Sequence, residues 1–375
     1  MDRQIIDLFA GAGGLSLGAA RAGFNVKAAV ELDNHAIHTH IKNFPNSTHI
    51  QQDVSKLSGE DLLRLAGIKK GELDGLIGGP PCQGFSTIGK QQIDDNRNQL
   101  FNDFFRLVQE IEPNFFVAEN VTGILNTKYD FIREEALSLV QDKYILLEPI
   151  KVKASEYGAP TIRTRIFFIG IHIKRFPKEL KKTDFTPSND LESINVSHAL
   201  IGLPTLIQPL WLSEEQGWQL VDKTQFPKNR FFDRIINSIP NNIGNNKLIE
   251  RYMEQDFVSG CQGTRHSKEV EERYANLQYG QQDKISKSVK LNPLGFCPTL
   301  RAGTGSDKGS YQAVRPIHYE QPRVITPREA ARLQGFPDWF VFHETKWHSF
   351  RQIGNSVSPI VAEKILKVIF DAMNN

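Results

Sequence analysis

Cysteine is scarce in this sequence. Three occur among 375 residues, at Cys82, Cys261 and Cys297, and no two of them form a C-x-x-C pair. Such an odd and sparse set supports neither a disulfide framework nor a cysteine-based metal centre. We therefore expect a protein of a reducing compartment, with no metal site.

A charge excess and a long apolar stretch are missing as well. The 45 Lys and Arg residues nearly balance 43 Asp and Glu residues, which leaves a formal charge of +2. Any surface that binds nucleic acid must therefore be a local patch. Because we find no apolar run of about 18 residues and no signal peptide, we expect neither membrane insertion nor secretion.

The first half of the sequence alternates short apolar runs with helical patterns. The apolar runs predict strands at Ile5–Phe9, Val26–Glu31, Asp74–Ile77, Phe115–Glu119, Tyr144–Ile150 and Arg165–Ile171. Helical spacing predicts helices near Gly14–Ala22, Asn34–Asn43 and Gln99–Ile111. This alternation predicts an α/β fold with a doubly wound, mostly parallel sheet, in which ligands bind at the carboxyl ends of the strands.

The alternation stops near residue 175, and a second, smaller domain is expected to follow. Residues 178–190 are charged and rich in turn formers, which suggests a linker. From there to about residue 295 the sequence predicts mixed strands and loops with no internal repeat.

Helical signals return near the end of the chain. Thr326-Pro327-Arg328-Glu329 has the pattern of a capping box, and Gly335 predicts the end of that helix. A last helix, from Pro359 to about Ala372 and capped by Ser358, is expected to pack on the first domain. The expected domains are therefore 1–178 with 350–375, and 179–349 as an insertion between them.

A glycine-rich turn follows the first predicted strand. Asp7–Gly14 reads DLFAGAGG, and its glycines allow a ligand to approach the backbone at a helix N-terminus. A dinucleotide fingerprint needs a further glycine where Ser16 stands, so NAD is disfavoured. A plain tight turn explains this stretch about as well.

Two carboxylates follow later strands. Glu31 ends the second predicted strand, where an acidic side chain is well placed to bind ribose hydroxyls. Asp53 follows His49-Ile50 and can take an adenine amino group. Each alone is more often a solvated carboxylate, but together they favour adenosine lying across the strand ends.

The sharpest signal is the segment Gly78–Ser86, which reads GGPPCQGFS. Its prolines stiffen the chain before Cys82 and its glycines let it turn out of the strand. This holds a thiol at the mouth of a cleft, whereas a lone cysteine is usually a small buried apolar side chain. The polar stretch 87–98 that follows can close over a substrate.

Further charged residues stand at the ends of predicted strands. Glu119 ends a strand beside an apolar run, a setting that suits an acid catalyst. Arg163 and Arg165 alternate before an apolar strand, so both guanidinium groups can face one site. A surface ion pair is the commoner role for such residues taken singly.

These residues resemble the cytosine-5 DNA methyltransferase family of bacterial restriction–modification systems. The matching motifs are Asp7–Gly14, Glu31, Gly79–Ser86, Glu119–Val121, Arg163 with Arg165, Pro298–Leu300, Thr326–Asp338 and Gln352–Val357. They stand in family order and cover roughly residues 1–175 and 297–375. One departure is Thr161, which stands where the arginine motif usually has glutamine.

The resemblance implies a reaction and its residues. Cys82 would attack C6 of a cytosine flipped out of double-stranded DNA, and a methyl group from S-adenosylmethionine would reach C5. Glu119 would hold N3, and Arg165 aided by Arg163 would stabilise O2. The products would be methylated DNA and S-adenosylhomocysteine, with no metal involved.

The resemblance also assigns binding residues. The expected cofactor site comprises Phe9, Gly11, Gly13, Gly14, Glu31, Leu32, Asp53, Val54, Gly79, Pro81, Leu100, Asn355 and Val357. The expected DNA contacts are Ser86, Arg97 and Arg301, and residues 179–349 would recognise the target sequence. The family suggests a monomer of the bacterial cytoplasm, close to the nucleoid, with a cognate restriction endonuclease as functional partner.

A basic excess near the end of the chain is compatible with a DNA-binding face. Between residues 297 and 351 there are eight Lys and Arg residues and five Asp and Glu residues. The basic residues are Arg301, Lys308, Arg315, Arg323, Arg328, Arg332, Lys346 and Arg351. Residues 303–306 can approach DNA closely or form a solvated loop.

Two other functions stay open from the sequence. A cytosine-5 methyltransferase acting on transfer RNA would use the same chemistry, although the long segment without a family match favours duplex DNA. A DNA-binding protein without catalysis would have no need to keep Cys82, Glu119 and Arg165 together.

Overall fold

Eight strands form one mixed, mostly parallel sheet in the computed structural model, which describes residues 2–81, 99–188, 191–207, 217–303 and 314–374. The strands are β1 (Gln4–Leu8), β2 (Asn25–Val30), β3 (Thr48–Ile50), β4 (Gly75–Gly78), β5 (Phe115–Asn120), β6 (Tyr144–Leu146), β7 (Ile150–Lys153) and β8 (Thr164–His172). Their order is β3-β2-β1-β4-β5-β8-β6, and β7 also pairs with β8. The neighbouring strands β3, β2, β1, β4 and β5 pair in parallel. β8 pairs antiparallel with β5, β6 and β7.

Helices cover both faces of this sheet, which confirms the predicted doubly wound α/β fold. Those of the first half are α1 (Gly14–Ala22), α2 (Asn34–Asn43), α3 (Gly59–Ala66), α4 (Gln99–Ile111) and α5 (Asp130–Ser138). The apolar faces of α3, α4 and α5 pack on one side of the sheet, whereas α1 packs on the other. The bounds predicted for α1, α2 and α4 match the structure.

Short elements follow β8, and they include more helix than the sequence indicates. They are α6 (Val196–Leu200), β9 (Gln219–Leu220), a π-helix (Phe231–Ile236), α7 (Asn246–Met253), β10 (Phe257–Val258) and α8 (Lys268–Ala275). The predicted linker is also packed, because Phe185 is buried and its carbonyl accepts a hydrogen bond from Tyr157 Oη at 2.8 Å.

The chain ends with α9 (Pro327–Gln334), α10 (Lys346–Asn355) and α11 (Pro359–Asn374). The capping box of α9 forms as predicted, and Gly335 ends the helix with φ at 90°. Ser358 Oγ, predicted to cap α11, is buried without a hydrogen-bond partner among the described residues. Ala362 N instead bonds to the Ser358 carbonyl oxygen.

The last helix returns to the first strand and helix, as the sequence predicts. α11 packs along α1, where Gly18 provides the close approach, since a Cβ at that position would overlap Ala362. Arg3 Nη2 donates to the Met373 carbonyl oxygen at 2.7 Å. Among the helices that the structure describes, none has the length and apolar character needed to cross a lipid bilayer.

Candidate functional site

Adjacent parallel strands place the predicted site residues along one edge of the sheet. β1 lies between β2 and β4, and β5 pairs with β4. The carboxyl ends of these four strands lead to Phe9, Glu31, Gly79 and Glu119 respectively. Because parallel strands all end on the same side, the sheet itself brings these residues to one edge.

The glycine-rich turn after β1 takes a backbone course that few residues tolerate. Gly11 and Gly13 have φ angles of 57° and 100°, and Phe9 also has a positive φ, at 57°. A Cβ at Gly11 would meet no heavy atom of the described residues within 4 Å, so open space adjoins this turn. A Cβ at Gly14 would overlap the carbonyl oxygen of Val357, which ties the turn to the C-terminal segment.

Glu31 closes this turn. Its Oε2 accepts from Gly11 N and its Oε1 from Asp33 N, both at 2.8 Å. Burial raises the pKa of this carboxyl above its ordinary value, and the backbone donors partly offset the effect. A carboxylate retains lone pairs for further donors, and Leu32 beside it is 62% exposed.

Asp53, Val54 and Leu100 lie near the end of β3 and the start of α4. Asp53 Oδ1 accepts from Ser55 N and Ser55 Oγ, at 3.1 and 2.8 Å. Val54 is buried, and Leu100 on the first turn of α4 is partly exposed. Arg106 of α4 donates to the Val54 carbonyl oxygen at 3.4 Å, so this helix holds the segment in place.

A series of hydrogen-bonded polar side chains lies beneath the glycine-rich turn. Asp7 Oδ2 accepts from Ser16 Oγ at 2.5 Å, and Ser16 Oγ lies 3.0 Å from His40 Nε2. His40 Nδ1 lies 2.9 Å from His49 Nε2. Burial raises the pKa of Asp7 to about 7 and holds the pKa of His40 well below its ordinary value.

Glu119 and Arg165 form an ion pair at the adjacent strand ends. Arg165 Nε lies 2.7 Å from Glu119 Oε1, and the two side chains are only 16% and 11% exposed. A Cβ at Gly79 would lie 3.2 Å from Glu119 Oε2, so the end of β4 runs beside this carboxylate. The sheet therefore places an anion and a cation beside the segment that leads to Cys82.

Asn120 is a site residue that the sequence analysis did not single out, although it lies within the Glu-Asn-Val motif. Its Nδ2 donates to the Pro80 carbonyl oxygen at 3.4 Å, and its Oδ1 accepts from Val121 N at 2.8 Å. It thus connects β5 to the chain before the cysteine. Cys82 itself, with Ser86 and Arg97, lies outside the described residues.

Arg163 has hydrogen-bond partners different from the ion-pair partner of Arg165. Arg163 Nη1 donates to the Leu300 carbonyl oxygen at 3.2 Å, and its Nη2 donates to the Asn355 carbonyl oxygen at 3.3 Å. Thr161, where the family usually has glutamine, donates to the Cys297 carbonyl oxygen at 3.1 Å. These residues anchor the C-terminal segments to the sheet.

The basic excess between residues 297 and 351 does not form one exposed face. Arg323, Arg328 and Arg332 are 8%, 1% and 0% exposed. Arg323 pairs with Glu329, and Arg332 pairs with Asp338 at 2.5 Å. Three of the eight basic residues are therefore buried and cannot belong to a DNA-binding face.

Arg301 remains exposed, and Gly303, two residues further along the chain, has a φ of 80°. Residues 304–306 of the same glycine-rich stretch lie outside the described residues. Asn355 is exposed and Val357 is buried against the glycine-rich turn.

The two cysteines that the structure describes are both buried. Burial raises the pKa of the Cys261 thiol to about 12 and raises that of Cys297 still further. Neither thiol ionises readily at neutral pH, so neither suits a nucleophilic role.

Comparison with known proteins agrees with this arrangement. The family model described as C-5 cytosine-specific DNA methylase matches residues 3–371. The type II methyltransferase M.XorII of Xanthomonas oryzae is 38% identical, over 100% of this chain and 86% of its own length. The type II methyltransferase M.DdeI of Desulfomicrobium norvegicum is 32% identical, over 98% of this chain and 88% of its own.

Solved structures agree as well. A prophage-encoded E. coli protein, described as a DNA modification methyltransferase, is 53% identical with a TM-score of 0.89, and the match covers 99% of both chains. The Dnmt2 methyltransferase of S. pombe has a TM-score of 0.63 at 17% identity, over 100% of both chains, which is a likeness of fold alone.

Proposed function

The chain belongs to the C-5 cytosine-specific DNA methylase family and is a DNA cytosine-5 methyltransferase, and from this premise we propose how its residues act. The observation that carries the proposal is the ion pair between Glu119 and Arg165 beside Gly79. Gly79 lies three residues before Cys82 in the chain. A thiol, a carboxyl and a guanidinium group are what addition to a pyrimidine ring requires.

The residues at the sheet edge fit S-adenosylmethionine. The open space beside Gly11, the carboxylate of Glu31 and the exposed Leu32 suit an adenosine that needs close backbone approach, hydroxyl acceptors and apolar contact. Phe9, Asp53, Val54, Leu100, Asn355 and Val357, with the glycines and Pro81, complete the proposed set. When bound, this cofactor supplies an electrophilic methyl group on a sulfonium and leaves as S-adenosylhomocysteine.

Cys82 acts as the nucleophile. Its thiolate bonds to C6 of cytosine, and the electron pair of the C5–C6 double bond moves to C5, which becomes able to accept a methyl group. Glu119 holds N3 and Arg165 stabilises the charge that develops toward O2. A base then removes the C5 proton, the double bond reforms and the thiolate leaves.

Arg163 acts as a positioning residue in this proposal. Its guanidinium group is bound to the carbonyl oxygens of Leu300 and Asn355. It thereby keeps the C-terminal segment, which carries Asn355 and Val357, close to the start of β8 and Arg165. In this way it aids Arg165, which stabilises O2.

The substrate is duplex DNA, and the target base is flipped because its C6 is unreachable in a stacked helix. The relatives named type II methyltransferases support a modification role beside a cognate endonuclease. Residues 1–178 with 350–375 form the proposed catalytic unit, and 179–349 the target-recognition unit. A monomeric state and a cytoplasmic location stay predictions.

The first test compares nucleic acids and variants in one labelled-methyl assay. We expect label in DNA and none in transfer RNA, no turnover by Cys82→Ser, and retained cofactor binding by that variant. Glu119→Gln should lower kcat by about a hundredfold or more, because proton transfer and charge stabilisation at N3 are lost.

The matched control is Glu112→Gln. That carboxylate also pairs with an arginine, Arg175 at 3.0 Å, but it lies before β5 rather than at its carboxyl end. Label only in RNA would refute the DNA substrate, and full activity of Cys82→Ser would remove that residue from its role. Failure to trap a covalent complex on DNA containing 5-fluorocytosine would contradict attack at C6.

A further inference from the structure

Three histidines from distant parts of the sequence meet beside α2 and α10. They are His35 on the first turn of α2, His343 just before α10 and His348 on the first turn of α10. One ring nitrogen from each lies within 4.8 Å of the others, and His35 Nδ1 is 3.0 Å from His343 Nε2. The rings of His35 and His348 lie with centroids 3.7 Å apart. The chemistry proposed for methyl transfer does not use this cluster.

We propose that His35, His343 and His348 bind one divalent cation of the zinc class. Neutral imidazole is a preferred ligand of Zn²⁺, with bonds of about 2.0–2.1 Å, so two ligands of a tetrahedral ion lie roughly 3.3 Å apart. The 3.0 Å separation of the two closest nitrogens is near that value. Three protein ligands leave a fourth position for water or an external group.

Two of these three residues, His35 and His343, are held by their backbones. Gln352 is buried; its Nε2 donates to the His35 carbonyl oxygen at 3.0 Å, and its Oε1 accepts from His343 N at 3.1 Å. Thr39 Oγ1 also donates to Gln352 Oε1, at 3.2 Å. One amide side chain therefore fixes α2 and the segment before α10 in relation to each other, as a preorganised site requires.

The surroundings suit a bound cation. Thr345 N donates to His343 Nδ1 at 3.0 Å, which fixes the orientation of this ring. Glu344 Oε1 lies 3.8 Å from His343 Nε2 and supplies negative charge. The positive groups of Lys42 and Arg351 are paired with Glu344 and Asp33.

The ion would join two elements at the edges of the cofactor site. α2 begins three residues after Glu31, and α10 ends at Asn355. A cation shared by their first turns would hold these two helices together. His35 and His343 are 308 residues apart, so their proximity could not be predicted from the sequence. The sequence analysis had considered cysteine spacing and therefore predicted no metal site.

The test uses the full-length chain without a histidine tag, freed of metal by a chelator. We expect one Zn²⁺ or Co²⁺ per chain at micromolar affinity or tighter, a Co²⁺ visible spectrum without a thiolate charge-transfer band, and a Tm increase of about 2–5 °C with Zn²⁺. His348→Ala and His343→Ala should weaken metal binding at least tenfold.

The matched control is His38→Ala. His38 is exposed on the same helix, and its Nδ1 bonds to the Asn34 carbonyl oxygen instead of joining the cluster. This variant should bind metal like the wild type. If an alanine variant does not fold, His35→Gln removes a ligand while keeping a polar side chain, and it should weaken binding similarly. Wild-type protein that binds no Co²⁺, or His348→Ala and His35→Gln that bind it unchanged, would overturn the proposal.

Discussion

Asp7 shows how a single buried carboxyl can make stability depend on pH. It is fully buried next to Ser16, His40 and the glycine-rich turn, and burial moves its pKa from 3.8 to about 7. The folded protein therefore keeps a proton on Asp7 in a pH range in which the unfolded chain has released it. The free energy of unfolding must then fall as the pH rises through that range.

We predict that Asp7→Asn removes this dependence. Asparagine can still accept the hydrogen bond from Ser16 through Oδ1, but it does not ionise. Relative to the wild type, the variant should gain stability as the pH rises from 4 toward 7, with no further change above about pH 7. Denaturant unfolding at several pH values measures this difference.

His40 makes the same contribution to the pH dependence of stability in the wild type and in the Asp7→Asn variant. Its lowered pKa means that stability falls below about pH 6.5 in the wild type and in the variant, because the unfolded chain binds a proton that the folded protein excludes. Subtracting the two curves isolates Asp7. A constant difference across pH 4–7 would contradict a titrating Asp7.

The burial of arginines is the feature that the sequence predicts least well. Arg328 and Arg332 stand in a stretch rich in charge, and a surface position is the ordinary assumption for such side chains. Their partners are carbonyl oxygens and Asp338, and those partners come together only through tertiary packing. Composition alone cannot separate such arginines from DNA-binding ones.

At the scale of elements, α9 holds several separate segments together. Its Arg332 is fully buried, pairs with Asp338 and donates to the Ala199 and Ile201 carbonyl oxygens at 3.2 and 2.6 Å. Arg328 reaches Ser259 and Phe340 in the same way. Removing one partner of such a network leaves buried charge and carbonyl groups without compensation.

We predict that Arg332→Ala lowers the free energy of unfolding by about 3–5 kcal/mol. The same substitution at Arg64, which pairs with Asp61 on the exposed surface of α3, should change the denaturation midpoint far less. Urea unfolding of both variants measures the contrast. Equal shifts of the two midpoints would show that the buried Arg332 stabilises the fold no more than the exposed Arg64.

Local signals explain which elements the sequence predicts well. α2 has Asp33 as its N-cap, α4 has a periodic apolar face, α1 ends at Gly23 in the left-handed conformation, and α9 has a complete capping box. The predicted strand at 144–150 is in fact β6 and β7, because Pro149 between them lacks a backbone donor. β3 and α3 were not predicted, and α6 to α8 are short, so their bounds depend on tertiary contacts rather than on periodicity.

Part of the site is also readable from the sequence. Glu31 and Gly79 follow strands and Glu119 lies at the end of one, and the parallel order of these strands brings their ends together. The partners of Arg163 were not predictable, because Leu300 and Asn355 approach it from 137 and 192 residues away.

At the scale of the whole molecule, the two proposed units share one apolar core. The cluster on the α1 face of the sheet includes Phe115 and Phe167 from the strands, Phe232 and Tyr252 from the inserted segment, and Leu366 from α11. Shared cores generally unfold together, whereas units joined by a solvated hinge can unfold separately.

We therefore predict a single cooperative unfolding transition. Differential scanning calorimetry should give one peak whose calorimetric and van't Hoff enthalpies agree. Limited proteolysis near the join at residue 178 should be slow for the same reason. Two resolved peaks, or rapid release of an intact fragment beginning near residue 179, would contradict a shared core.

The contact of α11 with α1 and Arg3 has a consequence for how the enzyme is made. α1 obtains this packing partner only once α11, at the far end of the described residues, has been synthesised. A chain that stops before Asn355 lacks the helix that packs on α1, together with one of the two carbonyl groups that Arg163 binds. We expect such a shortened chain to lack methylating activity.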